Sequence, residues 1–168
     1  MQNAKDTFYL TLQSRLAALN PARVLVLRGQ LRPAVLVDEN EAPTEQVPPG
    51  VFRLAWSTLA LDRTGALPLA TLQCEIRYAT DGTAASAGMD RGRLLAAMDA
   101  ELASALATEP HTAPKLDCTA TDSGAPPAAM ATRIFWSAPI FAPVKVTRER
   151  LERTATVHVF AYQEAAEL

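Results

Sequence analysis

The sequence predicts an α+β domain, a mainly antiparallel sheet of about five to six strands with two helices packed on one face. A strand-like run over Leu72–Tyr78 alternates apolar and polar residues, and a helix pattern follows over Met89–Thr108. A second alternating run covers Phe52–Ala60, and an apolar stripe marks a helix over Asn3–Leu19. One half-buried strand followed by one amphipathic helix is typical of two-layer domains. The 168 residues suit a single domain, 1–168.

The run from Leu69 to Leu106 is the predicted centre of the domain. Its strand places apolar residues on one face, and its helix repeats them every three or four positions. These residues are Leu72, Cys74, Ile76 and Tyr78 on the strand, and Leu94 or Leu95, Met98, Leu102 and Leu106 on the helix. Across the turn Asp62–Gly65, we expect Phe52–Ala60 and Leu69–Tyr78 to pair as an antiparallel hairpin.

Further strands are predicted from shorter apolar or alternating segments. They are Val24–Leu27, Pro33–Asp38, Lys115–Thr119, Met130–Ser137 and Thr154–Gln163. The last of these has apolar residues on both faces, which suits an interior strand or one whose second face meets a partner. With two helices on one face of the sheet, the other face is left to water or to a neighbour. Strand aromatics on such a face, among Trp56, Trp136, Phe160 and Tyr162, would form a patch that needs a partner.

Composition and charge exclude several functional classes. Hydrophobic residues make up 49% and charged residues 20%, as in globular domains, and the net charge of −2 predicts neither nucleic acid nor an anionic membrane as a partner. No apolar run reaches the length of a membrane span, and the N-terminus does not read as a signal peptide, so we expect a soluble cytoplasmic protein. Cys74 is expected to be a buried free thiol, and a bridge to Cys118 is the less favoured alternative.

No residue pattern predicts catalysis, a metal or a cofactor. His111 lies in a proline-bracketed segment and is expected to be a solvated loop residue, while His158 lies in mid-strand as a cross-strand or interface residue. The spacing of His111 and Cys118 lacks the paired ligands of a metal site. The expected catalytic, cofactor and metal residues are therefore none.

Two charged or glycine-containing segments have alternative interpretations. The loop Asp81–Gly88 joins a strand to a helix, where phosphate can bind, but no Lys-Ser/Thr pair follows, so a connecting loop is favoured. Asp81 and Asp90 are expected to favour the helix start by charge and capping. The mixed-charge stretch Lys145–Arg153 is typical of a solvated turn, with the rim of a protein contact as the alternative.

The predicted elements follow one another in a definite order. It runs from the helix Asn3–Leu19 to the strand at Arg32–Val37, an acidic loop and the hairpin through Trp56 and Gln73–Ile76. The helix Asp90–Leu106 and the closing strand Thr154–Val159 complete the order. This order resembles that of phage and prophage tail terminators, which are minor tail proteins.

This resemblance implies a non-enzymatic structural subunit that forms a homo-oligomeric ring and caps the tail tube. The implied partners are further copies of the chain and other tail or head-joining proteins, in a particle assembled in the cytoplasm. Interface residues are predicted from the charge of exposed loops: Glu39, Glu41, Glu45, Arg63, Arg148 and Arg150. The alternative is a small α+β ligand-binding domain or enzyme of unknown substrate.

Overall fold

A computed structural model of the chain describes residues 1–40, 46–119, 126–147 and 149–167. Within these ranges there are two α-helices, ten strands and two short 3₁₀ turns. The helices are α1 (Gln2–Leu19) and α2 (Arg91–Ala107). The strands are β1 (Val24–Leu27), β2 (Gln30–Pro33), β3 (Val35–Val37), β4 (Phe52–Asp62), β5 (Leu69–Thr80), β6 (Thr112–Asp117), β7 (Ala128–Trp136), β8 (Ile140–Phe141), β9 (Lys145–Thr147) and β10 (Arg150–Tyr162).

Eight strands form one mixed sheet, and β1 pairs only with β2. The main order is β3-β4-β5-β10-β7-β6, and the short strands β8 and β9 also pair with β10. Among the strands of the described ranges, β3 and β4 form the one parallel pair, and an isolated parallel bridge joins Pro49 to Ala79. The predicted α+β class, mainly antiparallel pairing and two helices on the sheet are confirmed. The sheet has more strands than the five to six expected, because two- and three-residue strands are too short to show an alternating pattern.

The ladder between β5 and β10 forms the middle of the sheet. Twelve residue pairs run from Leu151 opposite Thr80 to Tyr162 opposite Leu69. Residues that alternate along both strands are fully buried on the helix side, while their neighbours are half-buried or exposed on the other side. The predicted hairpin is also confirmed, since β4 pairs antiparallel with β5 from Arg53 opposite Arg77 onwards.

Both helices pack on the same face of the sheet. Phe8 of α1 makes edge-on contacts with Trp56 and Trp136, with ring centroids 5.6 and 5.9 Å apart. The Trp136 indole N–H donates to the Leu106 carbonyl oxygen at the end of α2, at 3.1 Å. Trp136 therefore belongs to the core, and the partly buried Trp56 packs against it. None of the helices in the described ranges is long and apolar enough to cross a membrane.

The N-terminal strands differ from the prediction. The expected strand Pro33–Asp38 is divided at Ala34, so that Gln30–Pro33 pairs with β1 and Val35–Val37 joins the main sheet. The Ala34 N–H donates to the Arg23 carbonyl oxygen at 3.0 Å, and its own oxygen accepts from Phe52 N–H at 2.9 Å. At Ala34 the chain therefore passes from pairing with β1 to pairing with β4 in the main sheet. The hairpin Val24–Pro33 is called the arm below.

The stretch expected to be a solvated turn is instead a hairpin. Strand β9 pairs with the start of β10, with Val146 opposite Leu151. The sequence does not predict this strand because the stretch around it is rich in charged residues and looks solvent-exposed. Charged side chains can point to solvent while their backbone groups pair in a sheet.

Polar side chains of α1 accept hydrogen bonds from the terminal strand β6 and from the residue that follows it. Thr7 Oγ1 accepts a hydrogen bond from Leu116 N–H at 2.9 Å, and Asn3 Oδ1 accepts one from Cys118 N–H at 3.4 Å. An edge strand with free N–H groups can pair with other chains. At these two positions the side chains of α1 bind the backbone N–H groups that could otherwise pair with another chain.

A buried lysine connects β6 with the C-terminal turn. Lys115 is 0% exposed, and its ammonium donates to Glu167 Oε2 and to the Tyr162 carbonyl oxygen, each at 2.5 Å. The Met1 amino group lies 3.8 Å from the other Glu167 oxygen. A buried cation is tolerated only when charge and hydrogen bonds compensate its lost hydration.

Removing one partner of this pair should destabilise the fold strongly. We expect Lys115→Met to lower the free energy of unfolding by about 3–5 kcal/mol. The reason is that the buried Glu167 carboxylate loses its close cationic partner and keeps only the more distant Met1 ammonium. The double variant Lys115→Met/Glu167→Gln should be more stable than the sum of the single changes predicts, by at least about 1 kcal/mol. Urea unfolding measures both, with the exposed Lys145→Met as a control that changes stability by less than about 0.5 kcal/mol. Additive single effects would contradict the pairing.

Candidate interaction surfaces

One face of the main sheet lies opposite the two helices. Its central part is half-buried or exposed and is called the outer sheet face here. It is defined by Thr71, Gln73 and Glu75 of β5, Thr156, His158, Phe160 and Tyr162 of β10, and Phe135 of β7. This is the face for which the sequence predicts water or a neighbour.

Three aromatic side chains lie together on the outer sheet face. Phe160 is directly opposite Phe135 on one neighbouring strand and Thr71 on the other. Tyr162 follows Phe160 on the same side of β10, and both Phe135 and Tyr162 are 42% exposed. An aromatic cluster that is only partly covered presents apolar area and ring edges to a partner.

The remainder of the outer sheet face is polar. Glu75 accepts a hydrogen bond from Arg77 at 2.8 Å and from Gln73 at 3.4 Å. His158 lies opposite Gln73, and its backbone N–H donates to Ser137 Oγ at 3.0 Å. The half-buried His158 thus occupies the cross-strand position that the sequence predicts. Polar side chains beside an aromatic cluster resemble the rim and centre of a protein interface.

The arm presents a second apolar surface. Val26 lies opposite Leu31, and Val24 lies opposite Pro33, so these residues share one side of the two-stranded ribbon. Val26 and Leu31 are each 68% exposed and Val24 is 42% exposed. The tip is a two-residue turn, with positive φ at both Arg28 and Gly29 as tight hairpins require.

The base of the arm is attached to α2 and to the start of β4. Arg23 donates to both oxygens of Glu101, at 2.7 and 2.9 Å, and to the Gly50 carbonyl oxygen at 3.1 Å. Asn20 also donates to Glu101, at 2.9 Å. Burial alone would raise the pKa of Glu101, but these hydrogen bonds outweigh it and hold the pKa below its ordinary value. A bidentate pair of this kind sets the direction in which the arm leaves the body.

The glycine-containing loop before α2 folds around a carboxylate of its own. Asp90 accepts hydrogen bonds from Thr83 N–H at 2.9 Å, Thr83 Oγ1 at 2.8 Å and Ser86 Oγ at 2.6 Å. Gly82 has a φ of +80°, and a Cβ there would lie 2.6 Å from the Gly88 Cα. An internal carboxylate occupies donors that a bound phosphate would otherwise need. The expected cap is corrected: the Asp90 side chain bonds to the loop, and none of its oxygens caps α2.

Arg150, one of the predicted interface residues, is held within the chain. Its guanidinium donates to both oxygens of Asp81, at 2.7 and 3.0 Å, and to the Val47 carbonyl oxygen at 2.8 Å. The two hydrogen bonds from Arg150 to the Asp81 carboxylate lower the pKa of Asp81. The pair borders an open depression of about 520 Å³ lined by Gln46, Asp81, Thr147, Glu149, Arg150 and Glu152. Arg150 therefore joins β10 to the loop that precedes α2.

The structure does not bring together the three predicted interface residues that it describes, Glu39, Arg63 and Arg150. Glu39 accepts a hydrogen bond from Lys5 at 2.6 Å, and Arg63 lies in the exposed turn between β4 and β5. Arg63 and Arg150 lie near opposite ends of the β5–β10 ladder. The other three, Glu41, Glu45 and Arg148, lie outside the described residues.

His111 and the two cysteines have structural surroundings. His111 is half-buried rather than solvated, because its ring stacks on Trp136 with centroids 6.4 Å apart and its Nε2 lies 3.1 Å from the Ala107 carbonyl oxygen. No disulfide joins Cys74 and Cys118, and burial raises the pKa of the Cys74 thiol well above its ordinary value. Across the described part of the chain, no three potential ligands are grouped as a metal site.

Sequence reasoning missed the arm and Phe135 as exposed apolar features. Val24–Leu27 reads as an ordinary buried strand, since every residue in it is apolar. One feature of the sequence indicates the arm: the short Arg28-Gly29 connection joins this strand to a segment of mixed polar and apolar residues. Such a connection is typical of a hairpin. The alternating pattern correctly predicts that Phe135 lies on the other face of its strand from Ile134 and Trp136. The exposure of Phe135, however, depends on which face the helices cover.

No family model and no curated protein matches this sequence. Among solved structures, a chain from the virion of a native gene transfer agent (GTA) particle is similar over 96% of this chain and 98% of its own length. The two chains are 15% identical, with a TM-score of 0.35. At this level the likeness carries no argument about function.

The Asp90 network predicts a specific dependence of stability on pH. Hydrogen bonds from Ser86 and Thr83 lower the pKa of Asp90 to about 2, whereas an unfolded aspartate titrates near about 3.9. A lowered folded pKa adds stability above the unfolded pKa, and this is lost as the pH falls through the folded value. Asp90→Asn should therefore have a lower urea midpoint than the unmodified chain near about pH 6, and the difference should shrink towards about pH 2. A difference independent of pH would contradict this role.

Proposed function

We propose that the chain is a non-enzymatic structural subunit that assembles with copies of itself into a ring, as phage tail terminators do. In this role it caps a tail tube and meets other tail or head-joining proteins in a particle assembled in the cytoplasm. The order of elements that resembles this family supports the proposal.

The observation that carries the proposal is the outer sheet face. Both described helices pack on the opposite face, and the outer face presents Phe135, Phe160 and Tyr162 together. An aromatic cluster surrounded by polar groups is typical of a protein interface. The exposed apolar side of the arm is a second surface of the same kind.

The charged groups near the open depression support a structural role more than ligand binding. The donors of Arg150 are engaged by Asp81 and Val47, and the Asp90 carboxylate is engaged by the loop around it. Ligand sites usually present a few convergent polar groups inside a concave, mostly apolar pocket. Here the polar groups bind one another.

Light scattering over a concentration series tests self-assembly. We expect a mass that is a constant multiple of 18.0 kDa over at least about a hundredfold range of concentration, because a closed ring leaves no surface for further growth. A strict single-chain mass at every concentration would overturn the proposal. That result would favour the alternative, a small ligand-binding domain or enzyme of unknown substrate.

A further inference from the structure

We propose that the arm of one copy packs its apolar side on the outer sheet face of a second copy. The inference rests on the proposed self-assembly and names the two surfaces that carry it. The contact joins Val24, Val26 and Leu31 of one copy to the aromatic cluster Phe135, Phe160 and Tyr162 of the next.

The arm needs a partner to be stable as a two-stranded element. An isolated hairpin in water is marginal, because each strand has only one neighbour and little apolar area is buried. In this arm Val26 and Leu31 pair with each other and are both 68% exposed. The apolar side of the ribbon therefore remains available for contact.

The arm is nevertheless held in one direction at its base. Hydrogen bonds fix the two residues that flank the arm, Arg23 and Ala34. Arg23 binds Glu101 through two hydrogen bonds and also binds the Gly50 carbonyl oxygen, and the Ala34 N–H donates to the Arg23 carbonyl oxygen. Holding a binding element in one orientation before contact reduces the conformational entropy lost on association. This arrangement favours binding to another molecule over random movement of the hairpin.

The outer sheet face fits a ribbon of this kind. Sheets pack face to face at a separation of about 10 Å, with side chains of both layers interleaved. The arm provides branched aliphatic side chains, and the outer sheet face provides aromatic rings on adjacent strands. Contacts between aromatic and aliphatic side chains are well suited to the centre of such a layer.

Charge favours a second copy of this chain as the occupant. The arm contains two arginines, Arg28 and Arg32, and no acidic residue. The chain as a whole has 16 basic and 18 acidic side chains, so the remainder has 14 basic and 18 acidic ones. The proposed contact would bring Arg28 at the tip of the arm towards the Asp62 carboxylate. Asp62 lies in the same cross-strand row as Tyr162, with Leu69 between them. Opposite charges of this kind steer encounter and orientation.

The two surfaces are different parts of the chain, and this determines the geometry of assembly. A contact between unlike surfaces is heterologous, so each copy can use its arm on one neighbour and its sheet face on the other. Repetition of that contact closes into a ring when the rotation between copies allows it, and otherwise forms a filament.

Acidic substitutions on the arm test the contact. We expect Val26→Asp/Leu31→Asp to weaken assembly of the full chain by at least about 100-fold in dissociation constant, since two buried aliphatic contacts are replaced by charges. Met89→Asp is the matched control, because Met89 is 88% exposed and lies outside both surfaces. Sedimentation measures assembly, and circular dichroism checks that each variant is folded.

A cross-link tests the pairing of surfaces even if the acidic variant does not fold. In a Cys118→Ser background, Val26→Cys/Phe135→Cys should form disulfides between chains and give a ladder of multiples on a non-reducing gel. Val26→Cys/Met89→Cys is the control and should give none. The arm contact alone is overturned if the unmodified chain assembles but the cross-linking variant gives no ladder. It is also overturned if the unmodified chain and the acidic variant assemble equally well. A strictly single-chain unmodified protein overturns both this contact and the proposed function.

Discussion

The ladder between β5 and β10 is the constraint on which the rest of the structure depends. Because twelve consecutive pairs keep one register, every alternate residue of both strands is directed to the helices. Ala155, Val157 and Val159 are fully buried on that side beside Cys74 and Ile76. The same register places Phe160 and Tyr162 on the opposite side. A shift of one residue would exchange the two faces, so the core and the outer sheet face are determined together.

Charged groups stabilise the margins of this ladder. Arg153 binds Asp99 of α2, which also accepts a hydrogen bond from the Tyr78 hydroxyl at 2.5 Å. Burial and the Asp99 carboxylate raise the pKa of Tyr78, so the hydroxyl stays protonated as a donor. At one end of the ladder Arg150 binds Asp81, and beyond the other end Lys115 binds Glu167. With these charges paired inside the chain, the surfaces best suited to a partner are the apolar ones.

The sequence predicts the long elements well and the short ones poorly. Helices α1 and α2 and the β4–β5 hairpin carry many periods of their pattern, so the apolar residues alone identify them. Strands β3, β8 and β9 are two or three residues long and depend on neighbours for their pairing. The division at Ala34 depends on hydrogen bonds to Arg23 and Phe52, which are distant in sequence. The candidate surfaces are equally hard to predict from the sequence, because the exposure of Val26 and Phe135 depends on where other elements pack.

Electron microscopy of the purified full chain tests the central claim most directly. Self-assembly through unlike surfaces predicts closed rings of uniform size, with each arm lying on the outer sheet face of its neighbour. Uniform particles of single-chain size would contradict self-assembly. Rings in which the arm lies away from a neighbouring sheet face would contradict the arm contact and leave the structural role to another surface.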